Sequence, residues 1–247
     1  MKGRSITARD ETAVAPRPGA DGLVSRTIAA VINLIRSGDL RPGDPLPAEN
    51  GLAARFGVSR IVVREANRSL AALGIVELAN GRSPRVSTPD EHVVGMLLDH
   101  VVHTKHVTVQ QVLDVRRSLE ARAAALAAVR RTDEEAADIV AHAAGMRASF
   151  DDADRMREHD VAMHAAIAEA AQNPLFSIMI KAFAPVMRQT WPVGWKSRSE
   201  QDEREQMVAQ HEAIAAAIRD QDVAAARAAM SAHFDDTVRV LIGAGIT

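Results

Sequence analysis

Two kinds of patterning meet at Pro89, and that change limits the fold more than any other feature of the chain. Before it, short apolar-periodic segments stop at Gly38 with Pro42, Gly43 and Pro45, then at Gly57, then at Gly74. After it, Ala-rich helical patterns succeed one another at roughly 91–104, 108–130, 132–149, 152–171, 174–190, 200–219 and 221–242, and nothing alternates like a strand. Repeated Ala-Ala pairs let helices approach closely, so residues 89–247 are expected to form an all-α antiparallel helical bundle with short connections.

The N-terminal pattern is more varied. Val24, Ile28, Val31, Ile32 and Ile35 mark a first helix, and Pro47-Ala48-Glu49 opens a second that carries Leu52, Ala53 and Phe56. Ser59 caps a third, running to about Leu73, with Val62, Val63, Ala66, Leu70 and Leu73 facing inward and Arg60, Arg64 and Arg68 on another face. Residues 75–78 and 85–88 are strand-like around the turn-rich tip Asn80-Gly81-Arg82-Ser83. Three helices and a β-hairpin wing make a winged helix-turn-helix over residues 21–88, so the chain is expected to be mainly α. Residues 1–20, polar and without periodicity, are expected to be a mobile arm.

The net charge of −2 conceals an asymmetry. Residues 1–88 hold 13 Lys/Arg against 8 Asp/Glu, whereas residues 89–247 hold 17 against 24. Phosphate contacts need local positive charge, so the N-terminal excess suits double-stranded DNA. With no cysteine, disulfides, thiolate catalysis and cysteine-ligated metals are excluded, and any metal must use histidine and carboxylate. The sequence has no apolar run of about 18 residues and no apolar block near Met1, so a cytoplasmic protein without a membrane partner is expected.

A helix whose N-terminus enters the major groove offers Ser59 and nearby backbone N–H groups to phosphate, while Arg60 and Arg64 reach guanine edges or the backbone. Arginines four apart otherwise describe a solvated helix face, and Arg68, farther along, fits that description as well as a DNA contact. The ordered stretch LPAENGLAARFGVSRIVVREANRSLAALGIVELANGR resembles the GntR family of repressors, with the likeness running from Leu23 to Thr88. The resemblance implies a DNA-binding transcriptional regulator with Arg60, Arg64 and Gly81 as DNA contacts, and places the wing tip, with Arg82, at the adjacent minor groove. Asn50 stands where the family commonly has Arg, and Asn67 where it usually has Leu.

In the C-terminal part, Asp160 and His164 share a helix face with Met156, Met163, Ile167 and Ala171, an apolar setting in which an ionisable pair needs a partner. His211 lies similarly with Val208, Ile214, Ala215 and Ile218, and His233 with Ala226, Met230, Thr237 and Val240. One carboxylate and three imidazoles suit a divalent metal ion, zinc first, with nickel, manganese or iron as alternatives. Each histidine alone reads better as a core residue with a local hydrogen bond; it is the set of four that points to a metal. The pattern D-x-x-x-H, Q-H-E-A-I and S-A-H-F resembles the effector-binding FCD domain of the FadR-type branch, which implies a divalent cation at these four positions.

Arg116 shares a stripe with Val109, Val112, Glu120 and Ala123, so its guanidinium is expected inside the bundle, either clamping an effector carboxylate or paired with Glu120. By the same resemblance Asn173 is an effector contact, although it serves equally as a cap for the helix beginning at Pro174. Trp191 and Trp195 are read as part of the connection before residue 200, as a lid or as packing. His92, His100, His103, His106, His142 and His159 are read as surface or linker residues. The expected function is a homodimeric repressor, released from a palindromic operator when a small carboxylate effector binds; a hydroxy acid, sugar acid or related metabolite would suit. A metal-dependent enzyme and a purely structural metal are the alternatives; neither Glu169 nor Glu212 is placed as a separate base.

Overall fold

The computed structural model describes residues 20–79 and 82–246, so residues 1–19 of the expected N-terminal arm and Gly81 lie outside the described residues, while Ala20, expected to end the arm, begins the first helix. The chain divides between Pro89 and Asp90 into two compact units. Among the described residues no helix is long and apolar enough to cross a membrane.

The first unit holds α1 (Ala20–Ser37), α2 (Glu49–Phe56), α3 (Arg60–Ala72), β1 (Val76–Glu77) and β2 (Arg85–Val86). Gly57 ends α2 at φ +65°, a left-handed conformation that a side chain would resist, and the Ser59 hydroxyl caps α3 by accepting from Val62 N–H. The helices close over a core of Val31, Leu46, Leu70, Val76 and Val86. β1 and β2 pair antiparallel, Val76 opposite Val86, and are shorter than the eight residues of patterning suggested. The hairpin also has a third partner that local patterning does not reveal. Leu46 N–H donates to Pro84 O and Val86 N–H to Asp44 O, so the segment after α1 lies along β2. Asn67, on α3, is 1% exposed with neither amide atom partnered, an unsatisfied polar group on the same helix as the buried Val63, Ala66 and Leu70.

The second unit is all helix: α4 (His92–His103), α5 (Val109–Arg130), α6 (Asp133–Ala148), α7 (Ala153–Ala170), α8 (Pro174–Ala182), α9 (Ala184–Ser197), α10 (Gln201–Arg219) and α11 (Val223–Gly243). Side chains start most of them: capping boxes at Thr108 with Gln111 and at Thr132 with Glu135, and caps at Asp152, Asn173 and Asp222. α5 packs against α7 and α11, and α10 against α6 and α11, about a core of alanines interleaved with Ile139, Met163, Ile167, Ile214 and Phe234.

One expected helix is two. The pattern over 174–190 breaks at Phe183 because Pro185 has no N–H to continue the ladder. Beyond the break α9 runs on through Pro192, so Trp191 and Trp195 lie within a helix rather than in a connection, their rings stacked at 5.5 Å.

Candidate functional site

In the first unit, α2, α3 and the base of the wing enclose a groove of about 540 Å³. Arg60, Arg64, Arg68 and Arg82 line it, with Asn50 and Glu49. Glu49 organises the cationic face: both its carboxylate oxygens accept from Arg64, at 3.2 and 3.0 Å, and Arg60 lies 3.9 Å away. The hydrogen bond from Arg64 is the main reason the Glu49 carboxyl sits below its ordinary value. Ser59 is exposed at the start of α3, its oxygen engaged by the cap. Ile61, 79% exposed in the first turn of α3, sets an apolar side chain beside Arg60, and residue spacing alone did not single it out.

In the second unit, the three inward histidines meet. A ring nitrogen from each of His164, His211 and His233 lies within 4.8 Å of the others, and all three residues are buried. Asp160 Oδ1 joins them at 2.8 Å from His211 Nε2 and 3.9 Å from His164 Nε2. The buried nitrogens His211 Nε2 and His233 Nδ1 have no well-formed hydrogen bond, even though the carboxylate is close to the first. The far sides of two rings are fixed. His211 Nδ1–H donates to Met207 O at 2.8 Å, and His164 Nδ1 bonds to Glu120 Oε2, so each turns Nε2 toward the cluster. Fixing one ring nitrogen to free the other is how proteins orient metal-binding imidazoles, and converging lone pairs without partners are what a cation would satisfy.

The electrostatics agree. Burial would raise the Asp160 carboxyl, but contact with His211 and the charge of His164 hold it well below the usual carboxylate range. Burial, then the neighbouring His211 and His164, push His233 well below the ordinary imidazole value, which leaves it neutral with a lone pair to give.

Glu120 carries more than spacing could show. It is 1% exposed; Oε1 accepts from Arg116 Nε at 2.7 Å while Oε2 meets His164. Burial opposes its ionisation, yet the charges of Arg116 and His164 hold it below the ordinary glutamate value. The expected Arg116–Glu120 pair is therefore present, and Arg116 also reaches two cavities that flank the histidines, of about 40 and 260 Å³. Its Nη1 touches only the Met187 sulfur, a weak acceptor. Asn173 does not line either cavity: its Oδ1 accepts from Leu175 N–H and caps α8.

Arg198, unremarked in a stretch that reads as a connection, is buried in the smaller cavity's wall and paired with Asp236 at 2.8 Å, a partner 38 residues away that no local pattern announces. His92, His100, His103 and His106 are exposed. His142 and His159 are not simple surface residues: they are half-buried, with Nδ1 atoms 3.3 Å apart across α6 and α7. Glu212 forks onto Arg147, at 2.9 and 2.7 Å, away from the histidines.

A winged helix-turn-helix with a basic groove, followed by an all-helical unit with a polar centre, defines a DNA-binding transcriptional regulator. Residues 23–86 match the family described as bacterial regulatory proteins, gntR family, and residues 111–236 match the FCD domain. The chain belongs to that GntR family and is a regulator of the GntR/FadR type, not an enzyme. It is 32% identical to the HTH-type transcriptional regulator LutR of Bacillus subtilis, over 85% of this chain and 97% of the relative. It is 29% identical to the galactonate operon transcriptional repressor of Escherichia coli, over 83% and 92%. In fold it is similar to a solved Streptococcus agalactiae GntR structure, with a TM-score of 0.61 at 24% identity, covering 87% of this chain and 99% of the other.

Proposed function

We propose that this regulator is a repressor, acting as a homodimer on a palindromic operator, that responds to a small carboxylate bound at a metal centre of Asp160, His164, His211 and His233. The observation that carries the reading is the convergence of buried, unpartnered imidazole nitrogens beside an arginine whose outer edge faces open space. The donor set fits zinc first, with nickel, manganese or iron possible from the same nitrogen and oxygen ligands. When bound, a divalent ion supplies positive charge and a coordination position for an acid's oxygen. Arg116 orients the same carboxylate through its Nη edge, and Glu120 holds both Arg116 and His164 in place. Cavities on both flanks of the cluster favour an effector site over a metal that only braces helices.

In the first unit, Arg60, Arg64 and Arg82 contact phosphates and base edges, with Ser59 and the α3 N-terminus offered to phosphate, and Gly81 is a further DNA contact by the same resemblance. Effector and operator each weaken the other's binding by the same factor, typically about 1–3 kcal/mol. The relatives include a galactonate operon repressor, which supports repression, and the acid expected here is a small organic one.

The test measures metal content of purified wild type and His211→Ala, then operator affinity with and without acid. Wild type should carry about one ion per chain that His211→Ala lacks, and Arg116→Ala should bind operator but no longer respond. Equal metal in both proteins removes His211 from the ligand set, and an unchanged Arg116→Ala response removes the clamp.

A further inference from the structure

We propose that the acid this site reads is a short monocarboxylate with an apolar tail, and that polyhydroxylated acids bind it more weakly. The inference rests on the carboxylate reading above and assigns the remainder of the ligand.

The two cavities share Arg116, Asp160, His164 and Met187, so a carboxylate held there sends its tail into one or the other. The smaller, about 40 Å³, is walled by Trp191, Trp195, Met207, Phe234 and Leu241. Its two hydroxyls are already engaged: Thr190 donates to Val186 O at 3.2 Å and Thr237 to His233 O at 3.0 Å. The larger, about 260 Å³, has the room, and Val161, Ala165, Ile180 and Ala184 form its apolar wall. An apolar cavity of about 150 Å³ accommodates a benzene-sized ring, so a tail of several carbons fits. Among the described residues lining either cavity there is no Ser, Asn or Gln, and the chain contains no Tyr.

Hydroxyls along the tail would lose water and, beyond Glu91 and Lys181 in the larger cavity, find few partners, at a penalty for each left unpaired. A second carboxylate fares no better. The cations near the cluster are matched, Arg116 by Glu120 and Arg198 by Asp236. The larger cavity adds Glu91 and Lys181, of opposite sign, and Lys181 is paired with Glu169. The wall thus presents apolar surface and balanced charge beyond the first carboxylate.

The test compares gluconate with 2-hydroxyhexanoate, acids of equal carbon number that share the carboxylate and the 2-hydroxyl but differ in the hydroxyls beyond. Titration calorimetry uses the zinc-loaded full chain. We expect 2-hydroxyhexanoate to bind at least about tenfold more tightly than gluconate, and lactate, 2-hydroxybutyrate and 2-hydroxyhexanoate to tighten about fourfold per added methylene. Malate should bind more weakly than 2-hydroxybutyrate. Ala184→Leu, which fills the larger cavity from a half-buried position, should weaken 2-hydroxyhexanoate and spare lactate. Gluconate binding as tightly as 2-hydroxyhexanoate overturns the apolar tail, and an Ala184→Leu variant that treats both acids alike overturns its placement. If none of these acids binds, the carboxylate reading falls and the tail assignment with it.

Discussion

Replacing Glu120 with Gln changes one atom and tests the centre of the second unit. A carboxylate only accepts, and Glu120 uses both oxygens, one on Arg116 Nε at 2.7 Å and the other on His164 Nδ1. An amide offers one oxygen and one NH₂, so one of the two donors must face another donor. Arg116 cannot yield its proton, and His164 can, by moving it to Nε2, the nitrogen that faces Asp160 and the other rings. The variant should therefore keep the Arg116 bond, switch the His164 tautomer and leave a guanidinium buried without an anion. Breaking a buried pair from one side costs about 3–5 kcal/mol, and the retained bond argues for the lower end. At about 2–4 °C per kcal/mol, melting of the C-terminal unit should fall by about 6–12 °C. Scanning calorimetry in EDTA isolates this from any metal contribution. Metal titration should separately show affinity weakened about 10–100-fold, the usual loss when a partner that orients a ligand is removed. A Glu120→Gln protein that melts within about 2 °C of wild type and binds metal equally would refute the reasoning.

Glu49→Gln frees Arg64 from its carboxylate fork, so binding to random-sequence DNA should tighten while the ratio of operator to random affinity falls; competition binding at fixed salt checks it, and an unchanged ratio would show that Glu49 does not set the arginines' aim. Gly145 lies under the His159 ring, with which a Cβ would collide. Gly145→Ala should destabilise wild type, yet in a His159→Ala background it should gain up to about 1 kcal/mol of helix propensity, so a double-mutant cycle must change sign. The Glu212 carboxyl is held below its ordinary 4.5 chiefly by the hydrogen bond from Arg147. A depressed carboxyl adds stability above its unfolded value and loses it as pH falls through the folded one, so Glu212→Gln should lower Tm at pH 7 and differ progressively less below pH 4.5. A Tm difference constant with pH would mean that the lost contact is not ionic.

The residues that were legible in the sequence are those whose roles are local. Ser59 after Gly57, the arginines of α3 at four-residue spacing, and Asp160 with His164 one turn apart are all fixed by helix geometry. His211 and His233 were legible because each interrupts an apolar face, and only burial asks a histidine to do so. What escaped is pairing across long separations. Glu120 was visible as a partner four residues from Arg116 but not as a partner of His164, 44 residues on. Arg198 sits in a stretch whose composition reads as linker, and its burial follows from Asp236 on α11. His142 and His159 looked solvated because no apolar stripe carries them; the gap that admits His159 is the missing side chain of Gly145. The helix break at Phe183 had a local signal in Pro185, overridden in the sequence reading by the apolar periodicity on both sides.

The sequence posed Arg116 as either an ion-pair partner or an effector clamp; the geometry shows the ion pair and leaves room for the proposed clamp beside it. A guanidinium has five donors in a rigid fork. Glu120 takes Nε, and the contact of Nη1 is a thioether sulfur that any oxyanion would outcompete. The ion pair thus aims the remaining edge, and the aim depends on the fork rather than on charge. Arg116→Lys supplies a comparable cation with a single nitrogen, which can meet Glu120 or an acid but not both with the same geometry. It should keep the metal, because Glu120 still holds His164, and keep operator binding, while the response to acid falls nearly as far as in Arg116→Ala. Operator titration across acid concentrations reads this directly. A lysine variant that responds at wild-type acid levels would show that the site needs only a positive point charge, and the clamp would have to be abandoned.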